Sequence, residues 1–184
     1  MLINISNISM KHLILIRHGQ SEWNQQKRFT GWVDVGLTDK GRAEAKKAGE
    51  LIKEKKIKLD SFYSSYQKRA NDTLKIVMKE LNEDENLITK KWQLNERHYG
   101  ELTGLNKEDM KKKYGEEKIH QFRRSWDVKP GALDRKSPYH ALNIETYKDI
   151  PKSDIPDTES LKDTHKRVVN CYNELILKDL QNGK

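Results

Sequence analysis

A histidine placed directly behind a short apolar run, with an arginine before it and a glycine after it, is a candidate phosphoryl acceptor. Arg17-His18-Gly19-Gln20-Ser21 has this form and follows Leu13-Ile14-Leu15-Ile16. Arg17 can hold phosphate oxygens with a two-pronged guanidinium, and Gly19 lets the backbone come close. A neutral imidazole at His18 can attack phosphorus to give a phosphohistidine. The tripeptide alone reads more readily as a solvent-facing histidine in a turn; the apolar run ahead of it supplies the context such a motif needs. The single cysteine, Cys171, sits in an apolar-periodic segment and reads as a buried structural thiol rather than a nucleophile.

The elements that must position this histidine follow in a regular order. His12 to Ile16, bounded by polar and Gly residues, has the pattern of a central strand buried on both faces, with His18 at its C-terminal end, where open α/β sheets bind ligands. Thr38 can cap a helix whose Ala45, Ala48, Leu51 and Ile52 form one apolar stripe. Leu59 to Tyr63 reads as a second strand. Ala70, Leu74, Val77, Met78 and Leu81 predict a helix over Gln67 to Leu81, and Ile88 to Leu94 reads as a weaker third strand. This alternation implies an α/β fold, a mainly parallel sheet with helices on both faces. Asn106 to Trp126 holds two charged helical patches. Asp127 to Asp157 contains all four prolines with little periodicity, and reads as an insertion over the sheet edge, either a functional cover or a flexible excursion. A last helix, capped by Asp157 or Thr158, carries Leu161, His165, Val168, Val169, Tyr172 and Ile176 on one face and closes at Asn182-Gly183.

Composition bounds the class. At 184 residues, the chain reads as residues 1–10 in a disordered extension and 11–184 in a single domain. Thirty-six Lys and Arg against 28 Asp and Glu, a net charge of +8, favour an anionic partner without choosing among metabolite, nucleic acid and membrane surface. One cysteine excludes an internal disulfide framework, and no apolar run approaches a membrane span, so a cytoplasmic protein is expected.

Four segments together carry a resemblance: RHGQSEWN at 17–24, FTGWVDVGLTDKG at 29–41, LNERHYGELTGLNK at 94–107 and RRSWDV at 123–128. In order and spacing the chain from about Lys11 onward resembles the cofactor-dependent phosphoglycerate mutases of the histidine phosphatase superfamily. The resemblance implies interconversion of 3- and 2-phosphoglycerate in glycolysis and gluconeogenesis, with 2,3-bisphosphoglycerate as phosphoryl primer and no metal. The implied partners are small phosphoglycerates, with no nucleic acid and no membrane, and a homo-oligomer is compatible with it. His18 matches the phosphorylated histidine and Glu96 the proton donor and acceptor; a single carboxyl group can serve both directions of transfer. The alternative role for Glu96 is a salt bridge to a neighbouring arginine. Arg17, Gly19, Ser21, Asn24, Thr30, Gly31, Arg69, Arg97, His98, Tyr99, Lys107, Arg123 and Arg124 match contacts to phosphate and carboxylate. For Lys107, Arg123 and Arg124 the competing reading is a solvated basic face shared with Lys111, Lys112, Lys113 and Lys118.

Trp23, Trp32 and Trp126 read as packing residues. His12, His120, His140 and His165 match no catalytic position, and Gln20 stands where the family usually has Glu. In the family the last helix leads into an internal strand and an Ala-His-Gly-Asn-Ser motif, which has no counterpart in this sequence. The expectation is therefore a fragment or truncated product with activity strongly reduced or absent. Two rivals remain: a phosphatase, in which water accepts the phosphoryl group, and a non-catalytic module for phosphate ligands or polyanions. The long stretch from Leu94 to Asp157 favours the mutase, which must exclude water. No zinc-ligand set or nucleic-acid motif supports the module.

Overall fold

The computed structural model describes residues 11–183, so the expected extension over residues 1–10 lies outside the described residues. The first element is a single turn, α1 (Glu22–Gln25), closed by a reciprocal capping box between Ser21 and Asn24. Thr38 Oγ1 accepts the Gly41 amide at 3.1 Å and opens α2 (Asp39–Glu54) as its sequence predicts. Ala45, Gly49 and Ile52 form the buried stripe, while Leu51 turns outward. This face packs along α3 (Lys68–Leu81), whose Val77 and Met78 are fully buried.

Between them, β1 (Phe62–Ser64) pairs in parallel with β2 (Ile88–Lys90), Phe62 opposite Ile88 and Ser64 opposite Lys90. A parallel pair needs a crossover, and α3 supplies it. Side-chain alternation sends Tyr63 to the opposite face from Phe62 and Ser64. There Ser61 and Tyr63 both donate to Asp179 of the last helix, so helices lie on both sides of the sheet.

Three sequence expectations are corrected. Residues 12–16 are extended but unpaired, and Leu13, Leu15 and Ile16 are exposed instead of buried. A strand is held by a neighbour's backbone groups, and here a cavity of about 570 Å³ separates this segment from β1, with Phe62, Leu74, Val77, Ile176 and Leu180 on its walls. The predicted third strand stops at Lys90, and Trp92–Leu94 turns as a 3₁₀ helix. The last helix is capped by Ser160, not Asp157 or Thr158. Asp157 is already engaged by Arg135 and His140, and Thr158 Oγ1 donates to the Pro130 carbonyl. This helix runs as α6 (Leu161–Cys171), a π turn at Tyr172–Ile176 and α7 (Leu177–Gln181). Leu161 and His165, read onto the apolar face, are exposed, while Cys171 is buried. Among the described residues no helix is long and apolar enough to cross a membrane.

The two charged patches form α4 (Lys107–Tyr114) and α5 (Glu116–Arg124). They bury Ile119 and Phe122 against Phe29 and Leu102. The proline-containing stretch is not loose. Ala141, Tyr147, Ile150 and Ile155 bury themselves around Trp32, and the Tyr147 hydroxyl donates to the Trp32 carbonyl at 2.6 Å. Asp34 fastens this stretch to α3, because its two oxygens accept the Lys68 amide (2.6 Å) and the Thr146 hydroxyl (2.6 Å). Gln67 offers no side-chain cap to α3, so Asp34 does the capping from a distance. Asp34→Ala is expected to lower stability by about 1–2 kcal/mol, the range for losing an N-cap acceptor. In urea unfolding the midpoint should fall with the slope unchanged, and Asp34→Asn, which keeps one acceptor, should lose less.

Candidate active site

A buried arginine organises the site. Arg69, in the first turn of α3, has no exposed surface. Its Nε donates to His18 Nε2 at 3.2 Å and its Nη2 to Glu96 Oε2 at 2.8 Å. The rest of the fork is anchored on backbone, with Nη1 on the Val33 carbonyl (3.0 Å) and Nη2 also on the Gly31 carbonyl (2.9 Å). The residue expected to touch substrate thus bridges the two expected catalytic side chains, while His18 and Glu96 face the cavity beside β1.

The tautomer of His18 follows from its partners. The Gly19 carbonyl can only accept, so Nδ1 carries the proton and donates to it at 2.6 Å. A guanidinium can only donate, so Nε2 presents its lone pair to Arg69. Burial lowers the pKa of His18, the Gly19 carbonyl opposes that shift, and the nearby Arg69 charge adds to the lowering. The ring is therefore held neutral with Nε2 available.

Gly19 has a different reason from the expected approach of a ligand. A Cβ there would lie 2.1 Å from the Gly41 carbonyl oxygen, and one on Gly41 would lie 2.1 Å from the Gln20 carbonyl oxygen. The two glycines let the His18 loop sit against the start of α2. Thr73, which the sequence reading did not single out, accepts the Gly19 amide at 3.2 Å and donates to the Arg69 carbonyl at 2.8 Å. Gln67 was also missed. Its Oε1 accepts the Glu96 amide and its Nε2 donates to the Gly31 carbonyl, joining the two loops on either side of Arg69. Both lie at polar positions of a helix start, where sequence offers no signal beyond capping.

A cationic group stands around this centre. Burial lowers the pKa of Lys107, and the charges of Arg123 and Arg17 push it the same way, while Glu96 opposes them. Arg97 is buried; its Nη2 donates to the Arg123 carbonyl at 2.7 Å and its Nη1 has no partner. Thr30 Oγ1 is a second buried polar atom without one. Among the described residues none of Arg17, Arg97, Lys107 and Arg123 forms an ion pair. Unmatched buried donors beside crowded cations suit an anion carrying several oxygens. Tyr99 packs between Phe29 and the Arg97 guanidinium.

Several expected contact residues have other occupations. Ser21 Oγ and Asn24 Oδ1 cap each other's amides, leaving the Asn24 amide nitrogen for other contacts. Arg124 is exposed, its side chain without a hydrogen bond or ion pair among the described residues. His98 is fully buried, its Nδ1 accepting the Gly100 amide, so it faces the core instead of the cavity. Trp23 and Trp32 are buried as expected, whereas Trp126 is half exposed against His165.

The family model of the histidine phosphatase superfamily (branch 1) matches residues 13–182. A solved mycobacterial glucosyl-3-phosphoglycerate phosphatase in complex with VO3 superposes with a TM-score of 0.64 at 21% identity, over 88% of this chain and 62% of its own length. The likeness is one of fold. The 2,3-bisphosphoglycerate-dependent phosphoglycerate mutase of Pelagibacter ubique (strain HTCC1062) is 64% identical over 175 residues, 95% of this chain and 73% of that protein. The protein of the same name from Borreliella burgdorferi (strain ZS7) is 48% identical over 95% and 71%. The chain belongs to the histidine phosphatase superfamily, and within it to the 2,3-bisphosphoglycerate-dependent phosphoglycerate mutases.

Burial pulls the pKa of His98 down to about 4, with the neighbouring His140 adding to the effect. The unfolded chain binds a proton here from the ordinary value of 6.5 downward, which the folded chain resists. The contribution is complete above pH 6.5 and declines between there and about 4, by up to about 3 kcal/mol. His98→Gln should flatten that acid limb in unfolding measured across the window; an unchanged slope would place the titration elsewhere.

Proposed function

We infer that this chain is a phosphoglycerate mutase, interconverting 3- and 2-phosphoglycerate by way of a phosphohistidine at His18. One observation carries the reading: a single buried guanidinium touches both the unprotonated Nε2 of His18 and the Glu96 carboxylate. The identities of 64% and 48% to proteins named as mutases support it. The unpartnered donors of Arg97 and Thr30, with Arg17, Lys107 and Arg123 beside them, fit a small ligand bearing phosphates and a carboxylate.

2,3-Bisphosphoglycerate, when bound, supplies the phosphoryl group. Nε2 of His18 offers the lone pair that forms the new N–P bond, as the bond from phosphorus to the departing oxygen breaks. Nδ1 keeps its proton, and the Gly19 carbonyl stabilises the positive charge that grows on the ring. The Glu96 carboxylate takes the proton of the accepting hydroxyl as that oxygen attacks phosphorus, and the carboxyl group so formed returns a proton to the departing oxygen in the opposite step. Arg69 turns from the Nε2 lone pair to the oxygens of the group attached there, still fixed by the Val33 and Gly31 carbonyls.

Intact-mass analysis after incubation with 2,3-bisphosphoglycerate tests this. The parent should gain one acid-labile phosphoryl group and His18→Ala none; equal gain by both would remove His18 from the role. Since the His18 pKa is lowered, the uptake rate should persist as pH falls through the ordinary 6.5 and drop only below it. Arg123→Ala should weaken the half-saturating concentration on the order of tenfold or more, the scale of a charge-assisted contact. Lys112→Ala, on the exposed face of α4, should leave it unchanged.

A further inference from the structure

The segment that carries Glu96 is gripped from behind by an ion pair with no assigned role. Arg167, on α6, uses all five of its N–H donors. Nε and Nη2 fork onto the two oxygens of Glu159, at 2.7 and 2.8 Å. The remaining three reach the carbonyls of Gln93 (2.7 Å), Asn95 (2.8 Å) and Glu96 (3.1 Å). Glu159 completes the grip, its Oε2 accepting the His98 amide at 2.8 Å while its own amide donates to the His98 carbonyl at 3.1 Å. Both side chains are nearly buried, 10% and 5% exposed.

Residues 93–98 form no strand or long helix, so their backbone groups must find partners elsewhere. Arg167 and Glu159 supply them on both sides of Glu96. The Glu96 carbonyl rests on Arg167, and its amide rests on Gln67 Oε1. With both neighbouring peptide groups fixed, the Glu96 carboxyl is left little freedom beyond its own rotamer. The choice of an ion pair for this task also has an electrostatic logic. A lone arginine would put a net positive charge behind the carboxyl group, whereas the charge of Arg167 is matched by Glu159.

We propose that Arg167, locked by Glu159, is a positioning residue for proton transfer, setting where the Glu96 carboxyl stands relative to the phosphorus held at His18. This rests on the reading of Glu96 as proton donor and acceptor. A displacement of about 1 Å of such a group costs on the order of a hundredfold in rate.

Rapid-quench measurement of phosphoryl uptake from 2,3-bisphosphoglycerate tests the proposal in a double-substitution cycle. Arg167→Lys keeps the charge but loses the fork. Its saturating rate should fall about tenfold to a hundredfold, with the half-saturating concentration within about threefold of the parent. Added to Glu96→Gln, it should cause no further loss, because its effect runs through a carboxyl already removed. Losses that multiply in the double variant, or a loss seen only in the half-saturating concentration, overturn the proposal and leave Arg167 a general brace of the fold. Should Arg167→Lys fail to fold by circular dichroism, Glu159→Gln carries the same cycle, since its amide oxygen still accepts the His98 amide. A Glu96→Gln rate equal to the parent's would instead overturn the role of Glu96, and a parent that takes up no phosphoryl group would overturn that of His18; either removes the basis of the proposal.

Discussion

A guanidinium with no exposed surface is costly unless every part of it is answered, and Arg69 is answered by three separate stretches of chain. The Gly31 and Val33 carbonyls come from the loop before α2, Glu96 from the segment after β2, and His18 from the segment that opens the described chain. None of these stretches belongs to a regular element, so their mutual placement is fixed by the cation they share. Gln67, the residue before α3, and Thr73, one turn beyond Arg69, extend the grip to the Glu96 and Gly19 amides. One turn of one helix thus sets the distance between the expected nucleophile and the expected proton carrier.

Much of this was legible in the sequence, and the part that was not has physical reasons. Thr38 marked the start of α2, and the apolar spacing of Ala70 to Leu81 marked α3 to within a residue, because caps and 3.6-residue periods are local signals. The four motif segments led to the family now supported by relatives at 64% and 48% identity. Pairing is not local: Leu13 to Ile16 has strand composition, yet its backbone finds no neighbour among the described residues. The start of the last helix was misplaced for a related reason. Asp157 and Thr158 are as good caps as Ser160 on paper, but Arg135, His140 and the Pro130 carbonyl had prior claim on them. Arg167 and Glu159 escaped notice because nothing in their spacing tells a gripping pair from an ordinary surface i, i+8 combination.

The proline-containing stretch shows how a segment without period can still be ordered. Its buried apolar residues Ala141, Tyr147, Ile150 and Ile155 follow no single period, and they meet at Trp32. Trp32 lies between Gly31 and Val33, the residues whose carbonyls hold Arg69. The same short loop therefore offers its side chain to the cover and its backbone to the site, so that packing on one side is felt as geometry on the other.

The bond from His18 Nδ1 to the Gly19 carbonyl decides more than protonation. An imidazole has two nitrogens, and a free histidine in water can be modified on either. Here one is pinned to the chain's own backbone and only the other presents a lone pair, so the fold acts as a regiochemical mask. A group delivered to this ring can form only one of the two positional isomers, the one bearing it on Nε2.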